Sequence, residues 1–170
     1  MVMDAREEVI KHKANVSVLL MAVIQELTKR AQDHDNTKLE SPEAEIFEEF
    51  TPKLKDSIFG SKEYKKFLKD MKPALDHHYA HPDSRHHPQH FPDGINGMNL
   101  IDLIEMLIDW KAASMRSTSG DINRSLEINA KRFKMPKALV RLLENTVPFL
   151  EEFSDNLQKG GTSDEEKSED

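Results

Sequence analysis

No cysteine occurs anywhere in the 170 residues. That absence removes disulfides, thiolate zinc sites and cysteine nucleophiles together, and it fits a reducing cytoplasm. Long apolar runs are missing too. The longest, Val16 to Ile24, is interrupted by Ser17 and is far too short to span a bilayer. The opening MVMDAREEVIKHK is acidic and amphipathic, unlike a secretory signal, so the expectation is a cytoplasmic protein with no membrane partner. Nor is there a basic excess. Lys and Arg number 24 against 31 Asp and Glu, a formal charge of −7. A protein that coats nucleic acid needs a basic face, so no extended nucleic-acid surface is expected. A nucleotide-sized substrate stays open, because a metal supplies positive charge locally. No internal repeat and no convincing strand is visible.

What remains reads as helix. Val9, Val16, Leu19, Leu20, Val23 and Leu27 recur at three- and four-residue steps, predicting one helix from about Asp4 to Gln32 whose apolar stripe, with His12 on it, faces the core. After a break at 34–41, Ser41-Pro42-Glu43 reads as a helix start. Ser61 should cap a third helix that runs through Met71 and Leu75 to His78, kinked at Pro73. Asn99 caps a strongly apolar helix, Asp121 or Ser119 starts another, and Pro136 opens the last. The expectation is an all-α bundle of about six helices over residues 1–157. Residues 158–170, without apolar side chains, should be a disordered acidic tail. At this length one domain buries a real core.

Histidine is the exception to these absences. Six of the eight lie within fourteen residues: His77, His78, His81, His86, His87 and His90. His34 precedes Asp35, and Asp109 sits beside the only tryptophan. Imidazole and carboxylate together suit Mn, Fe, Co, Ni or Zn, one ion or two. Each residue also has a plainer reading. His34-Asp35 suits a polar interhelix turn, and adjacent helical residues share one ion only where the helix ends. His12 alone reads as a hydrogen-bonded core histidine. Asp102, Glu105 and Asp109 share a helix face; Asp102 is expected to be solvated, while Asp109, next to small residues, calls for a metal or a salt bridge with Arg116. The histidine tract reads either as a solvated loop or as a source of ligands, His78 and His87 first.

His12, His34-Asp35 and Asp109 resemble, in order, the His … His-Asp … Asp signature of the HD-domain superfamily of metal-dependent phosphohydrolases. The run His34 to Lys38 is similar to its His-Asp-x-x-Lys form. More narrowly, HDNTKLESPE, DHHYAH…HHPQHF and NLIDLIEMLIDWKAAS resemble an uncharacterised, largely phage and bacterial family of unknown function. The resemblance implies a compact HD-like bundle in the cytoplasm, a bacterial host's if phage-encoded. It implies a primary metal on His12, His34, Asp35 and Asp109. A second ion would sit on Asp35, His78 and His87. Water activated by metal would attack phosphorus, with Lys38 stabilising the developing charge and Glu43 orienting or acting as base. Arg85, His86 and Arg116 would contact a phosphate ester, most naturally a nucleotide. A homo-oligomer is compatible with this reading. The rival expectations are a di-iron oxygenase and a non-catalytic, metal-stabilised helical module of phage accessory or anti-defence type.

Overall fold

This computed structural model describes residues 4–116 and 120–160, with side chains up to residue 154. Among them every regular element is helical. Seven α-helices follow in order: α1 (Ala5–Asp33), α2 (Glu43–Asp56), α3 (Lys62–Asp70), α4 (Lys72–Ala80), α5 (Leu100–Met115), α6 (Ile122–Arg132) and α7 (Lys137–Gly160). Short 3-10 turns lie at Asn36–Leu39, Pro88–His90 and Gly94–Gly97. No helix among these residues is long and apolar enough to cross a membrane.

The expected starts recur where a side chain can take a first-turn N–H. Asp4, Ser61 and Asp121 accept from Arg6, Tyr64 and Asn123. Asn99 and Asp102 form a reciprocal capping box on α5. Ser41 does not cap: α2 begins after Pro42 without a side-chain cap. The single kinked helix expected from the Ser61 cap to His78 is two helices. Pro73, with no N–H to donate, sits in a first turn, so the chain breaks at buried Met71 and restarts as α4. That break makes seven helices of the expected six. The alternative start Ser119 lies outside the described residues, as do 161–170 of the expected tail, whereas the α7 backbone continues to Gly160.

The interior is of two kinds. Met106, Leu107, Ile122, Leu126, Leu143 and Val147 from α5, α6 and α7 form an apolar core, each worth roughly 1.5–3 kcal/mol when fully buried. Trp110 stacks on Phe133 at its edge, ring centroids 6.2 Å apart. The other face of α5 buries Asp102 and Glu105, and across from them lie buried Glu43, His78 and His86. This second interior is made of ionisable groups.

α1 departs from expectation. It has no buried residue. Its stripe is exposed, from Val23 at 37% to Leu19 at 67%, and among the described residues its last turns engage the body, mainly α5. Periodicity identified the helix correctly, but an apolar stripe requires a neighbour that the described residues do not supply.

Candidate metal centre

Three distant segments converge: the end of α1, the α4–loop tract, and α5. α1 stops at His34, and Asp35 takes a left-handed conformation with φ of 59°, which Asp tolerates better than most residues. The turn lets two adjacent side chains converge, the condition the sequence imposed on this pair. His34 Nε2 lies 3.7 Å from Asp35 Oδ2 and 3.6 Å from Asp109 Oδ1. Asp109 and Glu105, one turn apart on α5, both face His34, whose Nδ1 is 2.9 Å from Glu105 Oε1.

α4 contributes His78, 1% exposed. Thr37 donates its hydroxyl to Glu43 Oε2 at 2.9 Å, and His78 Nδ1 meets both Thr37 Oγ1 at 2.9 Å and Glu43 Oε2 at 3.1 Å. The carboxylate only accepts and the Thr37 proton is already committed, so Nδ1 of His78 carries the hydrogen. Its Nε2 then faces inward, 3.3 Å from Asp35 Oδ1 and 3.0 Å from His87 Nε2. A metal-binding histidine is oriented in this way by a carboxylate behind it.

The loop folds back over these groups through successive turns, His81 to Ser84, Ser84 to His87 and His87 to His90. His90 Nδ1 anchors it on the Tyr79 carbonyl at 2.9 Å. Gly97 permits the close approach of Phe91, whose Cβ would stand 2.8 Å from any added Cβ. His86 thereby reaches the interior, 1% exposed, with Nε2 3.6 Å from Asp35 Oδ1 and Nδ1 3.2 Å from Glu105 Oε1.

Three ligand groups result: Asp35, His78, His86 and His87; His34, His86 and Glu105; His34, Asp35 and Asp109. His34, Asp35 and His86 belong to two each. Ligands about 2.0–2.1 Å from a tetrahedral ion are roughly 3.3–3.4 Å apart; the ligand atoms of each group lie within 4.8 Å of one another, and several pairs, such as His78–Asp35 at 3.3 Å and His86–Asp35 at 3.6 Å, come close to that spacing. Asp35 Oδ1 and both ring nitrogens of His86 are buried without a hydrogen-bond partner, a costly state unless a further ligand is bound. The donor set therefore fits a metal ion.

Charge is already balanced within the cluster. Burial alone would raise the Asp35 carboxyl, but His78, His86 and Lys38 around it hold it well below the usual range. Glu105 is likewise opposed by burial, yet His34, His86 and Arg30 hold it down at about 2. Asp109, then Glu105, raise His34 to about 10 despite its partial burial. His86 is raised by Asp35 and Glu105 against the effect of burial. His87 goes the other way, kept neutral by burial and by nearby His86, His78 and Lys38.

His34, Asp35, His78, His87 and Asp109 are thus brought together as expected. His12 is not. It is exposed on α1, twenty-two residues before His34 and so roughly 33 Å along the helix. One chain cannot place it on the same ion. His86 stands among the ligands rather than outside them. Glu43, 0% exposed, holds Thr37, His77 and His78 and does not face Asp35. Arg85 turns away to Asp102, Nε to Oδ1 3.3 Å. Asp102 is not solvated: it is fully buried between Arg85, Arg30 and the α5 cap. Glu105 was missed as a ligand, although its step of four from Asp109 places both on one face.

Beside the cluster opens a cleft of about 810 Å³, walled by Phe47, Tyr64 and Trp110 and carrying Lys38, Arg116 and Arg124. Asp35 lies on its wall. Lys38 Nζ bonds Asp35 Oδ2 at 2.6 Å and sits 5.1 Å from the Phe47 ring centroid, at the junction of cleft and cluster.

Residues 1–156 match the model of a protein family described as "Family of unknown function (DUF5662)", and the chain belongs to that family. No curated protein and no solved structure matches the chain.

Proposed function

We propose that this protein is a metal-dependent hydrolase of a phosphate ester, with one or two divalent transition ions (Mn, Fe, Co, Ni or Zn) on His34, Asp35, His78, His86, His87, Glu105 and Asp109. One observation carries the reading. Asp35, shared by two ligand groups, has a buried oxygen without a hydrogen bond and also forms part of the wall of a large cleft. When bound, the ion supplies a water acidic enough to be hydroxide near neutrality and a Lewis acid for a phosphoryl oxygen.

The chain's own residues do the rest. Glu43 and Thr37 lock His78 in the tautomer that presents Nε2. Arg30 binds Asp102 and Glu105 at 2.8 and 3.2 Å, fixing α1 to α5 so that His34 and Asp109 keep their spacing. Lys38 is within reach of both Asp35 and the cleft, where it would meet charge developing on a phosphoryl group. Arg116 and Arg124 offer planar cationic contacts on the cleft wall. The aromatic walls suit an ester with a flat or apolar body, of which a nucleotide is one class. The order His34-Asp35 … Asp109 keeps the resemblance to HD-type phosphohydrolases, with the place of His12 taken by histidines from the loop and α4.

The test is to strip the protein with chelator, add back each ion, and measure bound metal together with phosphate released from a panel of aryl phosphates and nucleotides. The expected result is one to two equivalents of metal and release that requires them, both lost in Asp35→Asn. Metal bound without release from any ester would leave a non-catalytic metal module. No metal bound would remove the centre itself.

A further inference from the structure

From Ala5 to Glu26 every residue of α1 is exposed. Over this length, roughly 33 Å at 1.5 Å per residue, the helix carries nine large apolar side chains. They are Val9, Ile10 and the run of seven between Val16 and Ile24, with exposures from 37% to 68%. From Val16 to Ile24 the helix is apolar on every side but Ser17 and Ala22. A helix apolar all round is a buried helix, and helices gain most of their stability from packing. Glu7 and Glu8 stand in the first turn and Lys29 near the last.

We infer that α1 pairs antiparallel with α1 of a second copy of this chain, about a two-fold axis between Val18 and Leu19. This register sets Glu8 opposite Lys29 of the other copy and Val16 opposite Met21, so charges and apolar residues match at once. The available area agrees. At 25 cal/mol per Å² and 1.5–3 kcal/mol per side chain, each buries roughly 60–120 Å², and nine give on the order of 500–1,000 Å² per copy. A stable interface needs about 800 Å² per partner. Two helices cover only one stripe of each other, but this arrangement covers more. The N-terminal half of each α1 runs beside the other copy's α5, where Leu100 is 61% exposed. Leu100 lies two residues from the Asp102 that Arg30 holds.

Light scattering coupled to size exclusion should give twice the chain mass of 19.5 kDa at protomer concentrations of roughly 100 µM, since dimer population follows concentration. The double variant Leu19→Glu, Leu20→Glu should give the chain mass with unchanged helical circular dichroism, because both side chains are exposed within one chain. The absence of cysteine allows a second test that does not depend on that variant folding. Glu8→Cys mixed with Lys29→Cys should cross-link on oxidation, and neither should cross-link alone. A wild-type chain that stays monomeric at that concentration overturns the inference. So does a dimer that survives the double variant, self-cross-linking of Glu8→Cys, or a monomer that instead co-floats with phospholipid vesicles.

Discussion

Glu43 makes no contact with Asp35, His86 or His87 in this structure, yet it should control metal affinity. Its two oxygens hold His77 at 2.7 Å, His78 at 3.1 Å and Thr37 at 2.9 Å, and the side chain is fully buried. Glu43→Gln keeps the shape and one acceptor but introduces an NH₂ that cannot accept from either imidazole or from Thr37. Either His77, or His78 and Thr37 together, lose their partner, and the negative charge that favours electron donation through His78 disappears. Carboxylates behind ligating histidines are typically worth about 10–100-fold in metal affinity, which is about 1.4–2.7 kcal/mol. A buried donor left unpaired costs about 1–3 kcal/mol of stability as well. The assay is competition between protein and a chromophoric chelator, run beside thermal melts with and without metal. Affinity should fall by at least about tenfold. Thr37→Val, which leaves the Glu43–His78 bond in place, should cost less. The two changes should also combine non-additively, because they share one hydrogen-bond network. Wild-type metal affinity in Glu43→Gln, at whatever melting temperature, would refute the assignment of His78 as an oriented ligand.

Three further outcomes are expected. In the metal-free protein, Glu105 is held at about 2, so its contribution is present above its ordinary value near 4.5 and is lost as pH falls toward 2. His34 is raised to about 10, so its contribution is complete below about 6.5 and is lost as pH rises through 10. Urea midpoints should therefore be highest between these limits, and Glu105→Gln should flatten the acid side; an unchanged acid limb in that variant would contradict the pairing with His34, His86 and Arg30. Because neighbouring carboxylates raise His34 to about 10 and push His86 up as well, metal binding near neutral pH should release at least one proton. Calorimetry in buffers of different ionisation enthalpy measures that number, and zero release would rule out both histidines as ligands. Gly97→Ala should displace Phe91, whose Cβ would be 2.8 Å from the new methyl, at a cost of about 1–3 kcal/mol; an unaltered melting temperature would show that the loop yields freely.

The sequence made the helices readable because their signals are local. Caps at Asp4, Ser61, Asn99 and Asp121 and the three- and four-residue apolar steps need only neighbouring residues. His34-Asp35 and Asp109 stood out only together and in order, since each alone also suits a polar turn or a salt bridge. His12 misled because periodicity reports a sticky face and does not say what covers it. Asp102 and Glu105 were hard to read for the opposite reason. Acids beside an apolar stripe look solvated until Arg30, seventy-two residues before Asp102 in the chain, arrives to pair them. The direction of Arg85 depended on the path of the loop, which hydrogen-bonded turns fix and composition does not.

The division of the interior has a consequence for how the molecule comes apart. The apolar core of α5, α6 and α7 joins elements that follow one another closely in the chain. The ionisable interior instead ties residues 34–35, 78–87 and 105–109 across long stretches of sequence. Cohesion there depends on protonation and, under the proposed function, on metal occupancy, so it varies with conditions while the apolar core does not. Opening of such a chain is cooperative within units rather than all at once. Amide exchange should be slowest in α5 to α7 whether or not metal is present. In α4 and the histidine loop it should be fast in chelator and slow in metal, so that the ion acts there as a removable cross-link between three segments that the chain order leaves far apart.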